Sequence, residues 1–367
     1  MKKKTYITIK TGESDRQKTC AGTTRILLLI KKMKRTIKFL FITLALFVAS
    51  CSEQVTETTP LSGADTLTTD VHMPTIMKMN GEKLLVVDLF TKDSLVRIFD
   101  VNKKTIVSQF AQKGHGPNEY LHISSADFSI HEGQLVLDVF DPVKKILSSY
   151  PVDELLKGNT HSTKTDFKTT TKANLTEVLR IDGGFLATGL FEEGKYALFD
   201  DSLKFRQYSG TYLPNVAGKS KGVKHAIANN GITVLSQDRK HFVGIVYMAS
   251  VVTFNHVNDL SVEKDDEYQI KPLNYQVKDD HIINQEVEGY LSASYGKQHI
   301  YTLYCGIPES DGVATYGKEI HVFSKDGKLQ KKYLLDASAF QICVNDDESK
   351  LYILSHEPTP CILIYDL

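Results

Sequence analysis

The sequence predicts an all-β fold: a six-bladed β-propeller of four-stranded antiparallel blades, with the ring closed by an N-terminal strand. Three observations predict it. A turn followed by a short apolar strand recurs at residues 81, 133, 183, 231, 296 and 349, in steps of 52, 50, 48, 65 and 53. A second apolar strand follows each first one, usually ending in an aromatic and a small polar residue, as in Val96-Arg97-Ile98-Phe99-Asp100 and Ile362-Leu363-Ile364-Tyr365-Asp366. No convincing amphipathic helix lies between them. A period near 50 made of short strands reads as one blade per repeat.

Residues 1–50 stand apart from this pattern. Met33 opens a basic stretch with Lys34, Arg35 and Lys38, an apolar run covers Phe39 to Val48, and Val48-Ala49-Ser50-Cys51 follows. A basic n-region, an h-region and small residues at a cleavage site make a secretory signal. The apolar run is shorter than the ~20 residues a membrane-spanning helix needs. Val-Ala-Ser-Cys resembles a bacterial lipobox, which implies lipidation of Cys51 and a membrane anchor. Met33 is the expected start, with an upstream extension before it. Residues 51–64, rich in Thr, Ser and Glu with Pro60, are expected to be a flexible tether, and 65–367 the propeller. Leu61–Thr69 retains the capacity to pair as a strand.

Charge excludes one class of partner. The whole chain has 44 basic and 44 acidic residues. Residues 1–50 hold 12 Lys/Arg and 2 Asp/Glu, so 44 − 12 leaves 32 basic and 44 − 2 leaves 42 acidic residues from Cys51 onward, a net of −10. Such a domain lacks the basic face that nucleic acid requires. Besides Cys51, this part of the chain carries Cys305, Cys343 and Cys361, each inside an apolar strand-like run and none in a CxxC spacing. Buried free thiols are expected, with a Cys343–Cys361 bridge left open.

Each first cue has its turn: Gly81-Glu82-Lys83 before Leu84–Asp88, Gly133-Gln134 before Leu135–Asp138, Gly183-Gly184 before Phe185–Thr188, and Asn230-Gly231 before Ile232–Leu235. The last repeat ends at Leu367, straight after its second strand, and so lacks an outermost strand. The segment near Ser62–Asp70 can supply it and remove the open edges.

With strands named A to D from the centre outward, A–B and C–D turns share one face of the ring, and B–C and D–A connections share the other. The long insertions Pro151–Lys172, Ser209–Gly222, Ser236–Phe242, Val257–Asp280 and Gly306–Lys318 are assigned mostly to the second face. That face is therefore the expected recognition surface. Gly114-His115-Gly116-Pro117-Asn118-Glu119-Tyr120 belongs there as a D–A joint, made rigid by two glycines and a proline.

The stretch Lys113-Gly114-His115-Gly116-Pro117-Asn118-Glu119-Tyr120, followed by the Leu135-Val136-Leu137-Asp138 strand in the next repeat, resembles the TolB-like six-bladed propeller lipoproteins of Bacteroidetes. The Cys51 lipobox agrees with it. The resemblance implies a fold and confers no catalytic residue. The chain has no Trp, which separates it from WD-type propellers.

The candidate face residues are His115, Asn118, Glu119, Tyr120, Arg239 and His241. Glu119 is expected to accept N–H groups of its own loop; a second reading has it bind a cation or amine from the channel. Asp88 and Asp138 close what read as equivalent strands. They suit turn formation better than a calcium ring, since Gly189, Ser236 and Ser355 stand at the corresponding places. No nucleophile elbow, zinc-protease helix or phosphate loop occurs. The expected function is a monomeric, envelope-anchored binding or scaffold module for a protein or glycan, with no cofactor. The alternative is a Ca²⁺-dependent, lactonase-type hydrolase centred on the channel.

Overall fold

The computed structural model describes residues 57–91, 93–168, 173–213, 226, 229–247, 249–270, 276–278, 281–283, 289–306, 316–357 and 359–367. Cys51 and the signal lie outside the described residues. The chain forms six blades. Blade 1 is Pro74–Asn80, Lys83–Asp88, Val96–Asp100 and Thr105–Phe110; blade 2 is Ser125–His131, Gln134–Asp141, Ile146–Pro151 and Thr163–Asp166. Blade 3 is Leu175–Ile181, Gly184–Gly189, Tyr196–Asp200 and Phe205–Ser209; blade 4 is Gly231–Leu235, His241–Val246, Val251–Asn258 and Ser261–Gln269. Blade 5 is Tyr290–Tyr295, His299–Tyr304, Gly317–Ser324 and Leu329–Ala339; blade 6 is Gln341–Val344, Lys350–Ser355 and Cys361–Asp366.

Blade 6 takes its D strand from the N-terminal side: Asp65–Thr68 pairs antiparallel with Cys361–Asp366. The closure expected from the truncated last repeat is therefore present. The supposed tether is also partly strand. Thr58–Leu61 runs parallel to strand D of blade 5, with Thr58 opposite Lys332 and Leu61 opposite Leu335. Covering that outer edge satisfies backbone groups that an edge strand would leave open.

Alternation puts one row of each strand against the preceding blade and the other against the next. Leu85, Val87, Val96 and Ile98 of blade 1 meet Ala126, Phe128, Leu137 and Val139 of blade 2 in one apolar cluster. Phe140, Phe167, Phe185 and Phe199 join blades 2 and 3, with Phe167 edge-on to each of the other three rings.

Three loop assignments need correction. Ser236–Phe242 is not a long-face insertion, because Gly231–Leu235 is strand A and the A–B turn lies at 236–240. Asn230-Gly231 imitates a hairpin turn but opens a strand, which explains the uneven steps of 48 and 65. Most of Val257–Asp280 down to Gln269 is strands C and D of blade 4. Within Pro151–Lys172, a four-residue helix at Val152–Leu155 lies in the C–D link on the short-turn face, and Thr163–Asp166 is strand D. Described residues of Ser209–Gly222 and Gly306–Lys318 do enter D–A and B–C connections. Cys343 and Cys361 form no bridge and are buried on strands A and C, with strand B between them; Cys305 is half-buried.

Candidate functional site

The joint between blades 1 and 2 is built by its own residues and two from blade 2. Gln112–Lys113 pairs with Glu119–Tyr120, and Gly114 N–H donates to Tyr120 O at 3.0 Å. Glu119 Oε2 accepts from Gly116 N–H at 2.8 Å. A Cβ on Gly114 would lie 2.0 Å from that oxygen, and one on Gly116 3.0 Å from it, so Gly114 is the stricter position. Lys144, in the B–C turn of blade 2, donates to Gly116 O at 2.8 Å and Glu119 O at 2.7 Å. Asp141 accepts from Leu121 N–H at 2.8 Å and from the N–H groups of Val143 and Lys144 at 2.9 Å.

His115 and Asn118 are exposed on this face and Glu119 is half-buried. Tyr120 is not a surface residue. It is 2 % exposed, bonded to Tyr150 Oη at 2.6 Å, with Lys164 over both rings. Burial holds both hydroxyls in the neutral form.

Arg239 and His241 lie on the opposite face from His115 and Asn118, the consequence of the misplaced turn. Arg239 crosses the mouth of the central channel to Asp127 of blade 2 at 2.7 Å. Around it, Asn80, Lys297 and Asp346 line a cavity of about 70 Å³. His241 bonds Asp238 within its own turn at 2.8 Å. Asp88 and Asp138 are not equivalent. Asp88 accepts from His72, Met73 and Phe90 N–H groups, which makes Asp141 its counterpart. Asp138 sits mid-strand in a buried pair with Arg180 at 3.0 Å, flanked by Ser129 and Ser149. These carboxylates are already committed. Among the described residues, no cluster of three or more His, Cys, Asp or Glu side chains is placed to hold a metal.

Sequence reading missed a cluster between blades 3 and 4. Here the half of the interface nearer the long-connection face is polar. Glu177 pairs across the sheet with Thr188, and Thr188 with Tyr196. From blade 4, Thr233, Gly244 and Thr253 stand in the matching row. Thr188 donates to Glu177 Oε2 at 3.1 Å and bonds Thr176 Oγ1 at 2.8 Å. Glu177 and Lys195 sit deep among protein atoms yet keep solvent contact through a cavity. Burial pushes Glu177 up to about 7 and Lys195 down to about 8. Tyr196 is 2 % exposed, and among the described residues its hydroxyl has no hydrogen-bond partner; Thr233 stands near but outside bonding geometry.

Two cavities share Lys195 and Tyr212 in their walls. One of about 150 Å³ is lined by Thr176, Thr188, Lys195, Tyr212, Asn229 and Thr233. The other, about 260 Å³, is lined by Lys195, Tyr196, Tyr212, Thr253, Asn255 and Lys264. Among the described residues, strands A of the other neighbouring blades pack closely, whereas those of blades 3 and 4 stand further apart. Register is the signal that could have found the cluster: Glu177 occupies the row position of Ile76 in blade 1.

A second network, Tyr290–His321–Glu319–Lys332, runs across blade 5 from its innermost strand to its outermost, with links of 2.8, 2.6 and 3.1 Å. Tyr290 and His321 are fully buried, so this chain of bonds acts within the core.

The family model described as TolB-like 6-blade propeller-like matches residues 49–347. The chain belongs to this family. The TolB-like propeller is also similar to a crystal structure from Bacteroides fragilis NCTC 9343 named "Putative exported protein". The TM-score is 0.55 at 11 % identity, covering 84 % of this chain and 93 % of that one. The β-propeller domain of Cps50 (Swd1) from Myceliophteria thermophila matches with a TM-score of 0.49 at 10 % identity, covering 83 % of this chain and 100 % of that one. At 11 % identity the likeness to the Bacteroides fragilis protein is one of fold. No protein of curated function matches by sequence.

Proposed function

We propose that this TolB-like propeller is a binding module of the cell envelope, held by a lipid on Cys51, which presents its B–C and D–A face to a protein or glycan. The observation that carries the reading is the asymmetry of the ring. The A–B turns at 81–82, 132–133 and 182–183 are two residues long, while the D–A connections at 111–124, 210–230 and 270–289 are far longer. Long connections on a rigid scaffold are where recognition resides. The clamped Gly114–Tyr120 joint gives that face one fixed landmark, with His115 and Asn118 exposed on it.

The anchor follows from the signal and Cys51. With two or more acyl chains, membrane residence is stable at ~0.8 kcal/mol per buried CH₂. Cys51→Ala moves the protein to the soluble fraction or leaves an uncleaved precursor; a processed, membrane-bound variant contradicts the anchor. For the face, Asn118→Arg weakens capture of the partner from envelope extracts, whereas Lys240→Glu in the A–B turn of blade 4 leaves it intact. The reverse pattern contradicts the assignment.

A further inference from the structure

The polar half of the blade 3/4 interface has the features of a site rather than of a core. Propeller blades meet through apolar rows, and the equivalent row between blades 1 and 2 is Ile76, Val87 and Val96 against Ala126 and Val139. Between blades 3 and 4 that row holds Glu177, Thr188 and Tyr196 against Thr233 and Gly244. Gly244 replaces the side chain that Val139 supplies. A Cβ at Gly244 would come to 2.9 Å from Tyr196 Oη, 2.9 Å from Thr253 Oγ1 and 3.7 Å from Lys195 Nζ. The three polar atoms thus converge on one spot that the backbone leaves open.

Among the described residues, two of these atoms have no hydrogen-bond acceptor. Tyr196 Oη is buried without a partner there, and Lys195 Nζ lies 5.7 Å from the centroid of the Tyr196 ring, attracted by Glu177 only at longer range. A buried hydroxyl and a partly desolvated ammonium left in this state cost stability until an acceptor arrives. Glu177 accepts from Thr188 and attracts Lys195 only at longer range, without an ion pair. Around the donors stand hydroxyl and amide groups: Thr188 and Thr233 on one side, Thr253 and Asn255 on the other.

We propose that this interblade pocket binds a small hydroxylated carboxylate, of the size of one hexuronic acid, with its carboxylate on Lys195 Nζ and Tyr196 Oη and its hydroxyls on the threonines and Asn255. The two cavities, which share Lys195 and Tyr212 as wall residues, supply space on the scale of a sugar ring. The pocket opens toward the long-connection face and so deepens the binding-module reading. The two remain separable, because capture of a large partner can fail while the small acid still binds, and the converse.

Several titratable groups face the pocket. They are Glu177 and Lys195 from blade 3, Tyr212 after its D strand, Tyr247 after strand B of blade 4, Lys264 and Glu267 from strand D of blade 4, and Lys78 from the channel side. Lys264 and Glu267 pair with each other at 2.8 Å. The tyrosines stay neutral well into the alkaline range. The bound carboxylate therefore needs Lys195 charged, and affinity falls as pH rises through about 8.

The test is calorimetric titration of the purified full-length protein with galacturonate, glucuronate, galactose and oligogalacturonate. At least one uronate binds, galactose binds about tenfold more weakly or worse, and uronate affinity drops at least about tenfold between pH 6.5 and pH 9. Lys195→Met and Gly244→Val abolish uronate binding, and Tyr196→Phe weakens it, each in a protein whose melting transition remains cooperative. Binding of the oligomer better than the monomer assigns the acid to a glycan end; equal binding assigns it to a free sugar acid. The proposal is overturned if no uronate binds below about 10 mM, if galactose binds equally well, or if Lys195→Met leaves affinity unchanged.

Discussion

Blades 1 and 2 meet through Ile76, Val87 and Val96 on one side and Ala126 and Val139 on the other, and their joint is locked by Glu119 and Lys144. Blades 3 and 4 meet, in the same register, through Glu177, Thr188 and Tyr196 against Thr233 and Gly244, with open space between. One interface is an apolar row closed by a clamped joint. The other keeps an acid, an amine and a hydroxyl in poor company. Proteins retain such groups where they act, at the expense of stability. On the proposal above, the ring is held by the first kind of interface and binds its ligand through the second.

The largest effect expected from this contrast is at Leu137, fully buried in the blade 1/2 cluster. Leu137→Ala costs about 2–5 kcal/mol, read from urea unfolding. The next is Glu119→Gln, which weakens a charge-assisted acceptor of the Gly116 N–H and lowers stability by about 1–3 kcal/mol. An unchanged midpoint would move Glu119 from the joint to the list of ligand contacts.

The third prediction concerns pH. The Glu177 carboxyl is raised in the folded state from 4.5 to about 7. The folded protein then holds the proton more tightly than the unfolded chain, so its advantage is present at low pH and is lost as pH rises from about 4.5 through 7. Glu177→Gln removes that loss. Wild type and variant have similar stability near pH 4, and the variant is more stable by about 1–2 kcal/mol at pH 8. Parallel pH profiles would show that Glu177 is not held at a cost.

The smallest effect is at the channel mouth. Arg239 and Asp127 form a partly solvated pair, and Arg239→Ala costs about 1 kcal/mol or less. A larger loss would make that pair a structural tie across the ring.

The architecture was legible because it is written in local signals. Two-residue turns at Gly81, Gly133 and Gly183, paired apolar strands and a final repeat lacking its D strand suffice for blades and closure. Blade 4 was misphased because Asn230-Gly231 has turn chemistry while sitting at a strand start, and that displaced Arg239 and His241 to the wrong face. Thr58–Leu61 gave no strand cue, since its pairing comes from the exposed edge of blade 5 rather than from its own alternation. The blade 3/4 cluster was invisible for a different reason. Glu177, Lys195 and Gly244 are unremarkable in their own strands, and only the facing of two sheets brings them together.

The most direct test makes one substitution at two lysines. Lys144 donates to two carbonyl oxygens of the blade 1/2 joint, whereas Lys195 sits with a lowered pKa in the blade 3/4 pocket. Melting of the ligand-free protein at pH 7 compares Lys144→Met with Lys195→Met. Lys144→Met lowers stability by about 1–3 kcal/mol. Lys195→Met raises it by about 1–2 kcal/mol, allowing for its residual solvent contact. Two falling midpoints would contradict the account, for Lys195 would then be holding the ring together rather than waiting for a ligand.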